Sequence, residues 1–322
     1  MPIRLGFVGV GGIMNVHLKN LAAMKDVKLV AFCDIKKGVA SAVAKQYGGT
    51  AYSDCGEMYR QERLDAVYIA VPPNAHGKPE IEALKRGTHL FIEKPIAIDQ
   101  GIALKIADAV TASESIVSVG YHFRYSDIVQ RARRVPAGRK PSLILGWWLG
   151  GAPGVEWWGR KDGSGGQAIE QTTHIFDLAR YFGGEVNHVY SAAAIGLMTD
   201  RKDFTIEDSS TVTLLFENGA IGNISSTCVH PGLGKVGLLC ICKEICFELT
   251  GDALRVTDTQ CAHEYRRGLD PYLAEDEAFI KAITNGSSVG ILSPYEDALK
   301  THLLTVAATD AMKESASRAI SI

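Results

Sequence analysis

The chain opens with Ile3-Arg4-Leu5-Gly6-Phe7-Val8-Gly9-Val10-Gly11-Gly12-Ile13-Met14, an apolar run that breaks into glycines and then enters a helical pattern carried by Leu18, Leu21 and Ala22. A strand, a tight glycine turn and a helix start form the arrangement in which backbone N–H groups and the helix dipole hold a pyrophosphate. Gly9 and Gly11 stand at the first two glycine positions of a G-x-G-x-x-G turn, with Gly12 and Ile13 completing the loop. Met14 takes the third position, where its bulk should disturb close packing of helix on strand.

The next apolar segment, residues 27–32, ends in Cys33-Asp34, about twenty residues beyond the turn. An acid at that strand end accepts hydrogen bonds from a ribose diol and repels a 2'-phosphate. Two like charges at roughly 4 Å cost about 4 kcal/mol at an effective dielectric near 20, so the expected cofactor is NAD rather than NADP. The competing reading of Asp34 is a solvent-facing turn residue.

Strand and helix patterns keep alternating. Residues 40–47 read as helix, 65–71 as a buried strand, 76–86 as helix, 89–92 as strand, 101–113 as helix and 116–119 as strand. That order predicts an α/β, Rossmann-type doubly wound parallel sheet. Ligands of open sheets sit at carboxyl strand ends. Pro72, Asn74 and His76 follow one such end, and Glu93-Lys94-Pro95 follows another, making all of them cofactor-side candidates. For His76 the plainer alternative is a helix-start residue, and for Glu93 with Lys94 it is a surface ion pair capping a strand.

Beyond Arg124 the rhythm changes to strand-like segments at 142–149, 186–194, 209–217, 220–227 and 236–249 with few helices between them, and Asn218-Gly219 marks a hairpin. An α+β domain with a large, mostly antiparallel open sheet follows. The expected division is a dinucleotide-binding domain at 1–122 and a substrate-binding and oligomerisation domain at 123–322. A free sheet face points to a homo-oligomer, a dimer or tetramer. All four tryptophans, Trp147, Trp148, Trp157 and Trp158, flank a glycine-rich loop, and packing is the favoured role over stacking on sugar rings.

In that half, Gly163-Ser164-Gly165-Gly166 precedes a helical pattern over 167–177, in which Glu170 and His174 stand at i and i+4 with Asp177 on the same side. An imidazole with an acid one turn before it is a credible proton-transfer group. Cys240, Cys242 and Cys246 share parity, so along one regular strand they would be strung out rather than gathered round an ion, and no metal is expected.

Composition limits the function classes. The 322 residues hold 34 basic and 36 acidic side chains, with no basic footprint for nucleic acid and no apolar run of membrane-spanning length. Seven scattered cysteines do not form a disulfide framework and point to the reducing cytoplasm. A small-molecule role remains.

Together, the glycine turn, Asp34, Pro72 with His76, Glu93-Lys94-Pro95, the segment 170–177, Asn218-Gly219 and the terminal helices over 272–315 resemble the glucose-fructose oxidoreductase and inositol dehydrogenase family (Gfo/Idh/MocA). The resemblance covers nearly the whole chain. It implies a site in the cleft between the two domains, and an NAD-dependent oxidoreductase acting on a secondary hydroxyl or keto group of a sugar, polyol or inositol-like substrate. Lys94 matches the family's active-site lysine and His174 its catalytic histidine. Glu170 stands where an aspartate is usual, one methylene longer. The loops at 150–166 and 196–207 would set the substrate. Two alternatives of other classes are an NAD-dependent glycoside hydrolase of the same fold and a non-catalytic dinucleotide-binding regulator.

Overall fold

The structure is a computed structural model that describes residues 1–314. The described chain divides into two compact units, one formed by 1–126 with 268–300 and the other by 127–267 with 301–314.

The first unit holds six strands, β1 (Ile3–Val8), β2 (Val27–Cys33), β3 (Thr50–Tyr52), β4 (Ala66–Ile69), β5 (His89–Ile92) and β6 (Val117–Val119). They form one parallel sheet in the order β3-β2-β1-β4-β5-β6. Both faces are covered, which is why β4 and β5 read as continuous apolar runs. Alternate residues feed two cores. Val8, Val67, Ile69, Leu90 and Ile92 pack on one face, and Leu5, Phe7, Tyr68 and Phe91 on the other. On the second face Phe32, Phe7, Tyr68, Phe91 and Phe279 follow one another at ring separations of 5.4, 5.8, 4.7 and 5.7 Å.

Phe279 and Ile280 come from the helix Pro271–Asn285, so a single boundary after residue 122 does not describe this unit. Residues 268–300 return to it because their apolar side chains complete that core. The strand Thr50–Tyr52 and the helix Cys55–Gln61 were not legible in the sequence, since three residues are too few to show alternation.

The second unit contains β7 (Pro141–Leu149), β8 (Val186–Ala194), β9 (Ser209–Phe216), β10 (Ile221–Thr227), β11 (Lys235–Cys242), β12 (Ile245–Thr250), β13 (Ala253–Asp258) and β14 (Ala262–Arg266). Their order is β14-β13-β12-β11-β7-β10-β9-β8, antiparallel throughout except for the β7–β10 pair. The helix Thr173–Gly183 covers one face. Its approach is close enough that a Cβ on Gly146 of β7 would lie 2.4 Å from Ile175.

The expected single strand over 236–249 is corrected: β11 and β12 are two arms of a hairpin, paired Ile241 to Cys246 and Cys240 to Phe247. Lys243 and Glu244 make the turn, Glu244 with a positive φ of 67°, and carry no glycine signal that would expose it. The premise that three cysteines lie along one straight strand therefore fails. Asn218-Gly219 does close the β9–β10 hairpin, with Gly219 at φ 82°. The last described helix is Tyr295–Glu314, and Ser315, to which the terminal helices were expected to run, lies outside the described residues. Among the described residues no helix is long and apolar enough to cross a membrane.

Candidate active site

In the first unit, Gly9 follows β1 at φ 77°, and a Cβ there would sit 2.3 Å from the Ala70 carbonyl oxygen, so only glycine fits. Gly11 and Gly12 have no atom within 4 Å of where a Cβ would be. Their backbone is open to the approach of a ligand. Ile13 is the N-cap of the helix Met14–Ala22, and no side chain caps the N–H groups there. Met14 does not disturb the packing as expected: it is buried in the core with Leu5, Phe7 and Leu18. Its flexible thioether fills the space on which a smaller side chain would let the helix settle.

Asp34 stands just beyond β2, where its carboxylate accepts the Val10 N–H at 3.2 Å and the Lys36 N–H at 2.9 Å. The acid is thus tied to the glycine turn itself. An open glycine backbone, an uncapped helix start and an anchored acid at the adjacent strand end together fit a dinucleotide.

Two further carboxyl strand ends of this sheet carry the other candidates. After β4, Pro72 leads into the one-turn helix Pro73–Ala75, on which Asn74 is exposed. His76 is buried, and its Nδ1 meets Glu80 Oε1 at 2.6 Å while Glu80 Oε2 accepts the Gly77 N–H at 2.7 Å. That pairing gives His76 a role at the start of the helix Lys78–Leu84.

After β5, Glu93 is buried at 4% exposure, so the alternative of a surface ion pair is overturned. Glu93 Oε1 lies 3.0 Å from His17 Nε2, and Oε2 accepts the Lys94 backbone N–H at 3.0 Å. Lys94 is half-buried, and its peptide bond to Pro95 is cis. By the strand order it sits just past the carboxyl end of β5, a strand two places from β1, on the same sheet edge as the glycine turn.

In the second unit, the expected continuous helix over 167–177 is corrected. A short helix Gln167–Glu170 ends, and Thr173–Gly183 begins after a break at Gln171 and Thr172. There the Thr172 N–H bonds back to the Gln167 carbonyl at 2.8 Å, a five-residue step that takes the chain off the α-helical path. Glu170 and His174 consequently belong to different helices, and i, i+4 spacing does not place them.

Other contacts do. Glu170 Oε2 accepts a hydrogen bond from the indole N–H of the buried Trp158, and His174 is buried and stacked on Trp148 at 6.0 Å between ring centroids. Asp177 accepts a hydrogen bond from Thr301 at 3.0 Å, and Arg180 donates to the same hydroxyl at 2.7 Å. Glu207, buried, takes the Gln167 N–H at 3.0 Å and pairs with Lys161 at 3.2 Å, fixing the entry to the Gln167–Glu170 helix.

His17 had no signal in the sequence, and the sequence placed Trp158 and Glu207 only by their loops, because each finds its partner through the fold. One further cluster lies in the first unit. His17, Glu93 and Glu275 are all buried and bring an imidazole nitrogen and two carboxyl oxygens within 4.8 Å of one another.

The family model for an oxidoreductase family with an NAD-binding Rossmann fold matches residues 3–121, and the model for the Gfo/Idh/MocA C-terminal domain matches residues 142–255. The chain belongs to the Gfo/Idh/MocA oxidoreductase family. Among its relatives, scyllo-inositol 2-dehydrogenase (NAD(+)) of Bacillus subtilis is 30% identical over 236 residues, covering 71% of this chain and 68% of that protein. Myo-inositol 2-dehydrogenase of Thermotoga maritima is 26% identical over 330 residues, 98% of each chain. Levoglucosan dehydrogenase in complex with NADH shares the Gfo/Idh/MocA architecture at a TM-score of 0.88, with 19% identity and 98% of each chain covered.

Proposed function

We propose that this family member is an NAD-dependent dehydrogenase that moves a hydride between the nicotinamide and a secondary hydroxyl or keto carbon of a sugar, polyol or inositol-like substrate. The observation that carries the reading is the placement of Lys94 at the carboxyl end of β5, on the sheet edge that bears the open glycine turn and the anchored Asp34. The inositol dehydrogenases among the relatives support the substrate class.

When bound, the nicotinamide supplies the hydride acceptor or donor. The chain's own residues manage the rest. Lys94, a compact cation with three donors, holds the substrate oxygen and stabilises the negative charge that develops there. His174 takes the hydroxyl proton at a ring nitrogen as the alcohol is oxidised and returns it in reduction. Glu170, held by Trp158, has an orienting or electrostatic role rather than a direct one. Asp34 gives NAD its preference over NADP. All seven cysteines are free thiols, which accords with work in the cytoplasm, and the exposed face of the second sheet supports assembly into a homo-oligomer.

The test is a panel of myo-inositol, scyllo-inositol, levoglucosan, aldoses and polyols with NAD, and of keto sugars with NADH, followed by cofactor absorbance. Net NAD reduction by one of these is the expected result. Release of sugar from glycosides without net cofactor turnover would replace this reading with a hydrolase, and dinucleotide binding without turnover on any of them would replace it with a regulator.

A further inference from the structure

Beneath the Glu93-Lys94-Pro95 turn lies a charged cluster inside an aromatic core. His17 is fully buried, and its two ring nitrogens face two carboxylates, Asp276 Oδ1 at 2.8 Å and Glu93 Oε1 at 3.0 Å. An acceptor on each side calls for a proton on each nitrogen, which makes the ring an imidazolium. Phe91, Tyr68 and Tyr272 pack against the ring at 5.0, 5.5 and 6.1 Å between centroids and help to hold it in place.

Asp276 is fixed by Asn20 at 3.0 Å. Gly120 packs against the Glu93 carboxylate so closely that a Cβ there would come within 2.8 Å of Oε1. Beside them Glu275 is fully buried with no hydrogen-bond partner for either oxygen.

Burial opposes a charge on His17, and the hydrogen bonds and charges of Asp276 and Glu93 overcome it, holding its pKa well above the ordinary value. Burial first, and the charge of Glu93 second, push Glu275 well above the usual carboxyl range, so it stays protonated.

A buried charge pair is a weak source of stability compared with apolar packing, so its position beside the active strand end asks for another role. We propose that His17 is a positioning residue for hydride transfer: clamped between Asp276 and Glu93, it fixes the Glu93 carboxylate and, through the bond from Glu93 to the Lys94 backbone N–H, the conformation in which Lys94 meets the substrate. The inference rests on the catalytic role proposed for Lys94. Tyr68 from β4, Glu93 from the end of β5, and Glu275, Asp276 and Tyr272 from the helix Pro271–Asn285 are the titratable groups around the ring.

The test compares wild type, Lys94→Ala and His17→Gln on the polyol of highest turnover in the panel above. The expected pattern is near-complete loss of turnover in Lys94→Ala, and in His17→Gln a kcat lowered about ten- to hundredfold with NAD affinity within about twofold of wild type. Loss in Lys94→Ala with wild-type kcat in His17→Gln would overturn the positioning role alone. Wild-type turnover in Lys94→Ala would overturn the catalytic reading and the positioning role with it. Loss of NAD affinity in His17→Gln as large as its loss of kcat would make His17 a residue of cofactor-domain integrity instead.

Nitrogen NMR of the wild-type protein keeps the question open to refutation even where His17→Gln fails to fold. At about pH 8, where an ordinary imidazole is neutral, His17 should carry protons on both ring nitrogens, and a singly protonated ring would refute the clamp. Stoichiometric binding of Zn2+ or Mn2+ at His17 would likewise refute it, by placing a metal where the proton is assigned.

Discussion

In the proposed mechanism Lys94 is a fixed cation and His174 a proton carrier, so loss of either should cost chemistry and spare the cofactor. Lys94→Ala and His174→Ala are each expected to lower kcat by about two to four orders of magnitude while NAD binding, read by nicotinamide fluorescence quenching, stays near wild type. Full turnover in either would remove that residue from the mechanism. Asp34 makes a different prediction because its carboxylate is already anchored to Val10 and Lys36 rather than free to swing away. Asp34→Ala should raise the NADP-to-NAD ratio of kcat/KM by at least about tenfold, since an acid within reach of a 2'-phosphate costs a few kcal/mol. An unchanged ratio would show that Asp34 is a turn residue with no part in cofactor choice.

Among the elements, the short helix Gln167–Glu170 and the one-turn helix Glu156–Gly159 meet through Trp158 and Glu170. Trp158→Phe keeps the apolar bulk and deletes the indole donor, so a buried hydrogen bond to a carboxylate worth about 1.5–3 kcal/mol is lost. The expected outcome is a several-fold lower kcat with little change in NAD affinity. Equal kcat would show that Glu170 holds its place without the indole.

The helix Pro271–Asn285 carries the pH dependence. Glu275 has its folded pKa raised above the ordinary 4.5, so the native state keeps a proton that the unfolded chain gives up. Its contribution is fully present below that ordinary value and is lost as pH rises toward the raised one. His17, also raised, has the same sign, from its ordinary 6.5 upward. Glu275→Gln should therefore raise the melting temperature relative to wild type at about pH 8 and lose that advantage near pH 4. A pH-independent difference would mean that Glu275 is ionised in the fold.

For the whole molecule, the register of the second sheet places Ile221, Leu215 and His188 side by side across β10, β9 and β8, with Tyr190 two residues along on the same face. Tyr190 is 63% exposed and Ile221 51% exposed, on the face away from the helix that covers the other side. Such apolar side chains on an open sheet suit burial against a second copy. Light scattering after gel filtration should give a dimer or tetramer, and Tyr190→Glu with Ile221→Glu should shift it toward monomer; a monomeric wild type would end the proposal.

Much of the architecture was legible because its signals are local. A buried parallel strand such as His89–Ile92 is a contiguous apolar run, a glycine turn is a contiguous tetrad, and Asn218-Gly219 marks its own hairpin. Where local signals were absent or misleading, the reading failed: the Lys243-Glu244 turn has no glycine, and the break at Gln171-Thr172 lies inside an unbroken helical pattern. The sequence by itself determined the doubly wound first unit, the mostly antiparallel second one, and the placing of Lys94 at a carboxyl strand end. Only the tertiary structure decided what Glu93 does, because its partner His17 is 76 positions away, and the Asp276 that completes the clamp is 259 positions from His17. Periodicity reports which side of an element is buried, whereas the pairing of buried charges depends on which distant segments the packed core brings together.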